Sequence, residues 1–163
     1  MPKSSPDQAM LDLLNLRLVA SLATENDDGS IHLTAVWFLF EDGAIYVATS
    51  SRSRKARNLQ ARSRVSVMVD QRTPGKERGV TIAGTAELIH GPQSQAFNRK
   101  IHARYMSPEA LTDPKVTAVF GAMDDVTLRI TPATWIWWNM AELDAQLLQG
   151  TFAAHPGYML PLD

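Results

Sequence analysis

Hydrophobic positions along the chain alternate between two periods. Met10, Leu13, Leu14 and Arg17 recur at helical spacing behind Asp7, a side chain suited to an N-cap, so a helix is predicted over Gln8–Arg17. Leu18–Thr24 reads as a strand, Asn26–Ser30 as a turn around Gly29, and Ile31–Phe40 (IHLTAVWFLF) as one long strand rich in β-branched and aromatic residues. Glu41-Asp42-Gly43 closes a hairpin onto Ala44–Thr49. A short helix over Ser53–Arg62 follows, then an alternating strand, Val65–Asp70. Beyond a Pro-Gly loop (Gln71–Glu77), Val80–Ile89 is a strand in which Gly84 predicts a bulge or a close backbone approach. Gln93–Tyr105 and Pro108–Phe120 carry helical spacing. Val126–Ile130 and Trp135–Trp138 read as two last strands, interrupted by Thr131-Pro132. After Asn139, Gly150, Pro156, Gly157 and Pro161 predict an irregular tail over 141–163.

Six or seven strands joined mainly by hairpins, with short helices inserted, give a mainly β fold: an antiparallel six- to seven-stranded barrel. A doubly wound parallel sheet needs a helix between nearly every strand pair, and neither that pattern nor a GxGxxG is present. The 163 residues amount to a single domain, with its core over about 10–140. There is no cysteine, which excludes a disulfide framework, a thiolate metal site and a cysteine nucleophile. The longest apolar run, Ala35–Phe40, has six residues against the roughly 20 of a membrane helix. The polar start lacks a signal-type apolar region, so a soluble, cytoplasmic protein without a membrane partner is expected.

Charge is unevenly placed. The chain is close to neutral at −1, yet six of its 16 basic residues fall within Ser51–Arg64, with no acid among them. The rest then has ten basic against 17 acidic side chains, a net −7. A nucleic-acid binder spreads positive charge over a broad face and adds stacking aromatics, so a local anion site fits better. Its position is informative. A strand ends at Thr49, Ser53 can cap the following helix, and Arg54 and Lys55 then occupy the first helical turn. That end already carries partial positive charge. Free amides, two cations and the hydroxyls of Thr49, Ser50 and Ser51 converge there, an arrangement costly alone and favourable around a phosphate. The competing reading is a solvated basic helix face.

These residues resemble those of the pyridoxamine 5′-phosphate oxidase-like family of FMN-binding split barrels. In that family a strand ending in Thr leads through a short loop to a Ser-Arg-Lys that opens a helix, matched by Thr49, Ser53, Arg54 and Lys55. The strand laid along the flavin ring is matched by Leu33–Phe38. The Glu-Arg-Gln-Val turn is matched by Glu77-Arg78-Gly79-Val80, with Gly79 in place of a flavin-contacting Gln. A Pro-x-x-apolar-x-aromatic-Trp run is matched from Pro132, placing Trp138 on the Trp that approaches the flavin from the partner subunit. The resemblance covers about 10–140. It implies an FMN-dependent oxidoreductase, a homodimer with flavin between subunits, and a small-molecule redox substrate. The implied cofactor contacts are Leu33, Val36, Trp37, Phe38, Thr49, Ser50, Ser53, Arg54, Lys55, Arg57, Gly79 and Trp138.

The resemblance has limits. Oxidase members end in a basic Arg-Leu-His-Asp-Arg segment, and Ala141–Gln149 has none of those basic residues, which argues against vitamin B6 oxidation. Lys55-Ala-Arg57-Asn58-Leu59 also resembles the Lys-x-Arg-Asn-Leu of the deazaflavin-using branch, so a deazaflavin coenzyme is the alternative to FMN. A further branch binds or degrades haem, so a non-enzymatic flavin- or haem-binding protein is the other alternative, although nothing selects an axial ligand among His32, His90, His102 and His155. No two of these histidines have helical zinc spacing. Asp124-Asp125 reads as a turn before a strand, and Ser50, Ser51 and Ser53 lack a readable His/Asp partner set.

Overall fold

The computed structural model describes residues 2–161. Helix α1 (Gln8–Asn15) precedes the hairpin strands β1 (Ala20–Glu25) and β2 (Ile31–Val36). The strands β3 (Leu39–Glu41) and β4 (Ala44–Thr49) lead into α2 (Arg54–Ala61). The chain continues through β5 (Arg64–Gln71), β6 (Arg78–Ile89), α3 (Gly91–Tyr105), α4 (Pro108–Thr112) and α5 (Pro114–Met123). It ends with β7 (Val126–Asn139), α6 (Met140–Leu147), α7 (Thr151–Ala154) and a 3₁₀ turn at Pro156–Tyr158.

The seven strands form one antiparallel sheet in the order β2-β1-β5-β6-β7-β4-β3. Its outermost strands, β2 and β3, are joined in sequence by Trp37 and Phe38 alone. That link spans at most about 11 Å, so the sheet must curl until its edges nearly meet. Inside the curl lie Leu22, Phe38, Ile45, Val67, Ile82, Leu128 and Ile130, all fully buried, with Met10, Leu13 and Leu14 of α1 plugging the same core. Outside it, α3 packs on β4, where Tyr46 stacks on Phe97 at 3.9 Å.

Several expectations are corrected. Ile31–Phe40 is two strands, because Trp37 and Phe38 carry the chain from one sheet edge to the other. The two strands expected at the end are one 14-residue strand, β7. Its Thr131-Pro132 irregularity is absorbed by a register shift at Ala83/Gly84, which bears out the bulge read from Gly84. The helix expected over Pro108–Phe120 is two, because Asp113 accepts hydrogen bonds from the amides of Lys115 and Val116 and Pro114 starts a new helix. The tail is not irregular. Asn139 caps α6, and the buried Asp144 accepts the amides of Phe152 and Ala153 at 3.0 and 2.9 Å, fixing α7. No helix among the described residues is long and apolar enough to cross a membrane.

Candidate functional site

The β4–α2 junction is held by its own side chains. Ser53 Oγ accepts the amide of Ala56 at 3.3 Å and receives the Thr49 hydroxyl at 3.2 Å. Asn58, buried on α2, donates to Thr24 Oγ1 at 3.0 Å and Asn26 Oδ1 at 2.9 Å, tying the helix to the β1–β2 hairpin. Pairing of Thr49 with Val126 brings the start of β7 beside this loop. Asp125 there accepts both the amide and the hydroxyl of Ser51, each at 2.6 Å. Those two bonds hold the Asp125 carboxyl below its ordinary range.

The six cations of the basic run divide into two groups. Arg62 and Arg64 pair with Glu25 and Asp27 of the hairpin, so they are structural. Arg52, Arg54, Lys55 and Arg57 make no ion pair among the described residues. A solvated face explains the exposed Arg54 and Arg57, but not Lys55, which is half-buried. Burial pushes the Lys55 ammonium down from its ordinary pKa, against the opposing pull of Asp124.

Lys55 faces a cleft of about 630 Å³. Its lining combines polar residues, Thr49, Ser50, Arg52, Ser53, Lys55 and Asp124, with apolar ones that include Ala35, Val36, Trp37, Ala48, Phe120 and Met123. Trp37 is stacked at 4.9 Å on Tyr105 and at 5.9 Å on Phe120, with planes within 2° and 8° of parallel. The Tyr105 hydroxyl donates to the Leu18 carbonyl at 2.5 Å and receives the Phe38 amide at 3.3 Å, so this stack is anchored to the segment before β1 and to the link between β2 and β3. Charged groups and flat aromatic side chains lining one cleft suit an anion-bearing planar ligand.

Of the residues expected at a cofactor, Val36, Trp37, Thr49, Ser50, Ser53 and Lys55 meet in this cleft. Leu33 is exposed on β2 and does not line it. The Phe38 side chain is fully buried in the core beneath the Arg104 guanidinium. Arg54 and Arg57 lie on the outer side of α2. Gly79 and Trp138 are cross-strand partners on β6 and β7, away from the cleft lining. The sequence reading missed Phe120, Met123 and Asp124, whose place beside Thr49 follows only from strand pairing. It also missed His102, whose Nε2 lies 2.8 Å from Asp124 Oδ2.

Trp138 lies directly over Gly79. A β-carbon on Gly79 would fall 2.6 Å from Trp138 Nε1. Gly79→Ala is therefore expected to push the indole aside and to shift the Trp138 Nε1–H resonance. An unchanged resonance in the variant spectrum would contradict this packing.

The fold agrees with comparisons to known proteins. A sequence model of the family described as pyridoxamine 5′-phosphate oxidase matches residues 6–139. The chain belongs to the pyridoxamine 5′-phosphate oxidase family. The family match ends where β7 ends, so α6 and α7 lie beyond it. Among solved structures, a conserved hypothetical protein from Mycobacterium tuberculosis is similar at 30% identity and a TM-score of 0.70, over 85% of this chain and 88% of that one. An F420 reductase is similar at 26% identity and a TM-score of 0.63, over 80% of this chain and 98% of its own. A putative pyridoxamine 5′-phosphate oxidase from Listeria innocua shares the fold, with 18% identity, a TM-score of 0.61 and coverage of 79% and 94%. No curated protein matches the chain.

Proposed function

We propose that this chain is an oxidoreductase whose cleft grips the phosphate of a flavin-class coenzyme, FMN or its deazaflavin relative, at the seam of a homodimer. The observation that carries the reading is the half-buried Lys55, without an ion pair among the described residues, in a cleft whose lining also includes aromatic side chains. The residues fit such a group. The first-turn amides of Arg54 and Lys55 have no backbone acceptor, and the Ser50 hydroxyl is available to donate. Lys55 and Arg52 add positive charge beside them. Ser51 is not available, since Asp125 holds both its donors.

When bound, the coenzyme supplies the two-electron redox chemistry. The chain's share is to bind, orient and exclude water. Lys55, Ser50 and Ser53 fix the phosphate end, and Thr49, whose hydroxyl donates to Ser53 Oγ, holds Ser53 in place. Val36 and Trp37 set the plane of the ring end, and Phe120 and Met123 on α5 cover it. A small-molecule redox substrate would meet the exposed ring face near Trp37. Trp138 would reach that ring only from a partner subunit. Exposed apolar side chains support the dimer: Ile31 and Leu33 on β2, Val19 before β1, and Ile136 on the outward face of β7 shared with Trp138.

The deazaflavin form of this reading has specific support. An FMN phosphate brings about two negative charges. Four cations without ion pairs among the described residues exceed that, and Arg54 and Arg57 on the outer side of α2 suit a longer acidic tail. The similarity to an F420 reductase points the same way. Fluorescence-quenching titrations of the purified protein with each coenzyme, at low and high salt, discriminate the two. Tighter binding of the deazaflavin coenzyme with the steeper salt dependence is expected. Preferential binding of FMN would return the assignment to FMN, and no binding of either at millimolar concentration would remove the reading.

A further inference from the structure

The cleft that collects cations also contains a carboxylate. Asp124 lines it together with Lys55 and Arg52. Its position is fixed. Asn98 Nδ2 donates to its backbone oxygen at 2.9 Å, and His102 Nε2 lies 2.8 Å from Oδ2. The two side chains are only 16% and 13% exposed. Phe120 packs edge-on against the His102 ring at 5.1 Å. Asp124 therefore brings a carboxylate to the part of the cleft that Lys55 also lines, close enough to act on the Lys55 charge. An anion placed beside Lys55 meets that carboxylate in a partly buried site, where like charges repel strongly.

We propose that His102 and Asp124 form a proton-coupled partner set for the coenzyme phosphate: its entry beside Lys55 is accompanied by uptake of one proton on His102. The pair then passes from singly negative to neutral. This rests on the reading that the cleft takes a coenzyme phosphate. In neutral His102 the Nε2–H donates to Asp124, so the incoming proton goes to Nδ1 and no electrons move. His102 also lines a second cavity of about 560 Å³ between α3 and α5, which gives the ring a route for exchange with solvent.

The charged groups around this ring explain why binding triggers the uptake. Asp124 favours the imidazolium. Arg99, one turn earlier on α3 and lining the second cavity, opposes it, as do Lys55 and Arg52 across Asp124. Asp125 is engaged by Ser51 on the far side of the loop. A phosphate beside Lys55 and Arg52 cancels their opposition and tips the balance toward protonation. Histidine is the side chain whose charge changes in the physiological range, so the linkage is readable there.

The test is isothermal titration calorimetry of FMN and the deazaflavin coenzyme, at several pH values and in buffers of contrasting ionisation enthalpy. Wild type is expected to take up close to one proton more per bound coenzyme than His102→Gln, whose amide can still donate to Asp124. Its affinity is expected to fall with rising pH by up to tenfold per unit more than that of the variant. Asp124→Asn is expected to bind several-fold more tightly at pH 8 and to show no extra uptake, which keeps the test sound if His102→Gln fails to fold. Equal proton counts in wild type and variants, with binding intact, overturn the proposal alone. Failure of wild type to bind either coenzyme overturns the reading and the proposal with it.

Discussion

Lys55→Met is expected to lower coenzyme affinity by roughly 100-fold, a loss of about 3 kcal/mol. The size follows from where the charge sits. Lys55 is half-buried, lines the cleft and has no ion pair among the described residues, so its cation gains most from a phosphate. An exposed arginine such as Arg57 loses far less on truncation, because water already screens it. The free protein behaves in the opposite sense. The folded-state pKa of Lys55 is lowered by burial, so its charge disfavours folding at neutral pH. That penalty fades as pH rises through the folded-state value towards the unfolded one. Lys55→Met therefore keeps or slightly raises the stability of the free protein. Quenching titrations and thermal unfolding of the same variant check both halves. Affinity within threefold of wild type would remove Lys55 from the site.

Gly84→Ala is expected to be the most damaging single-methyl change in the sheet. A β-carbon at Gly84 would lie 2.1 Å from the Thr131 carbonyl oxygen and 3.1 Å from Pro132 Cα. Both are backbone atoms, so no side-chain rotation relieves the contact. The bulge exists because Pro132 cannot donate to the ladder, and Gly84 allows β7 to approach there. β6 and β7 form the longest strand pair of the barrel, so prying them apart loosens the core formed by Ile82, Leu128 and Trp135. Overpacking of this kind costs about 3 kcal/mol. For a chain of this length that lowers Tm by about 6–12 °C. Calorimetry or urea unfolding measures it, and a loss below about 0.5 kcal/mol would contradict the tight approach.

Much of this architecture is legible in the sequence because it is written in local terms. Alternation marks Val65–Asp70, Ser53 precedes a helical run, and Gly84 interrupts an otherwise regular strand. Local pattern fails where the determining contact is remote. Nothing in IHLTAVWFLF marks Trp37 and Phe38 as a link between opposite sheet edges, since both are good strand residues. In the tail, Gly150, Pro156 and Gly157 are stronger local signals than the helix-forming MAELDAQL and its Asn139 cap. Asp144, which holds α7 in place, looks like any surface acid. At the site, the basic run was readable but its division was not. Arg62 and Arg64 differ from Arg52 and Lys55 only through Glu25 and Asp27, which the β1–β2 hairpin brings back to them. Asp124 and His102 were invisible for the same reason, because strand pairing and helix packing bring them to the cleft.

The claim beneath all of this is that the entrance to α2 is a phosphate grip. Its most direct measurement is the affinity ratio between each coenzyme and its phosphate-free counterpart, riboflavin in the case of FMN, determined on one protein preparation. The account predicts that the phosphorylated form of the native coenzyme binds at least 100-fold more tightly, and that Lys55→Met collapses most of that ratio. Equal affinities with and without the phosphate would contradict it.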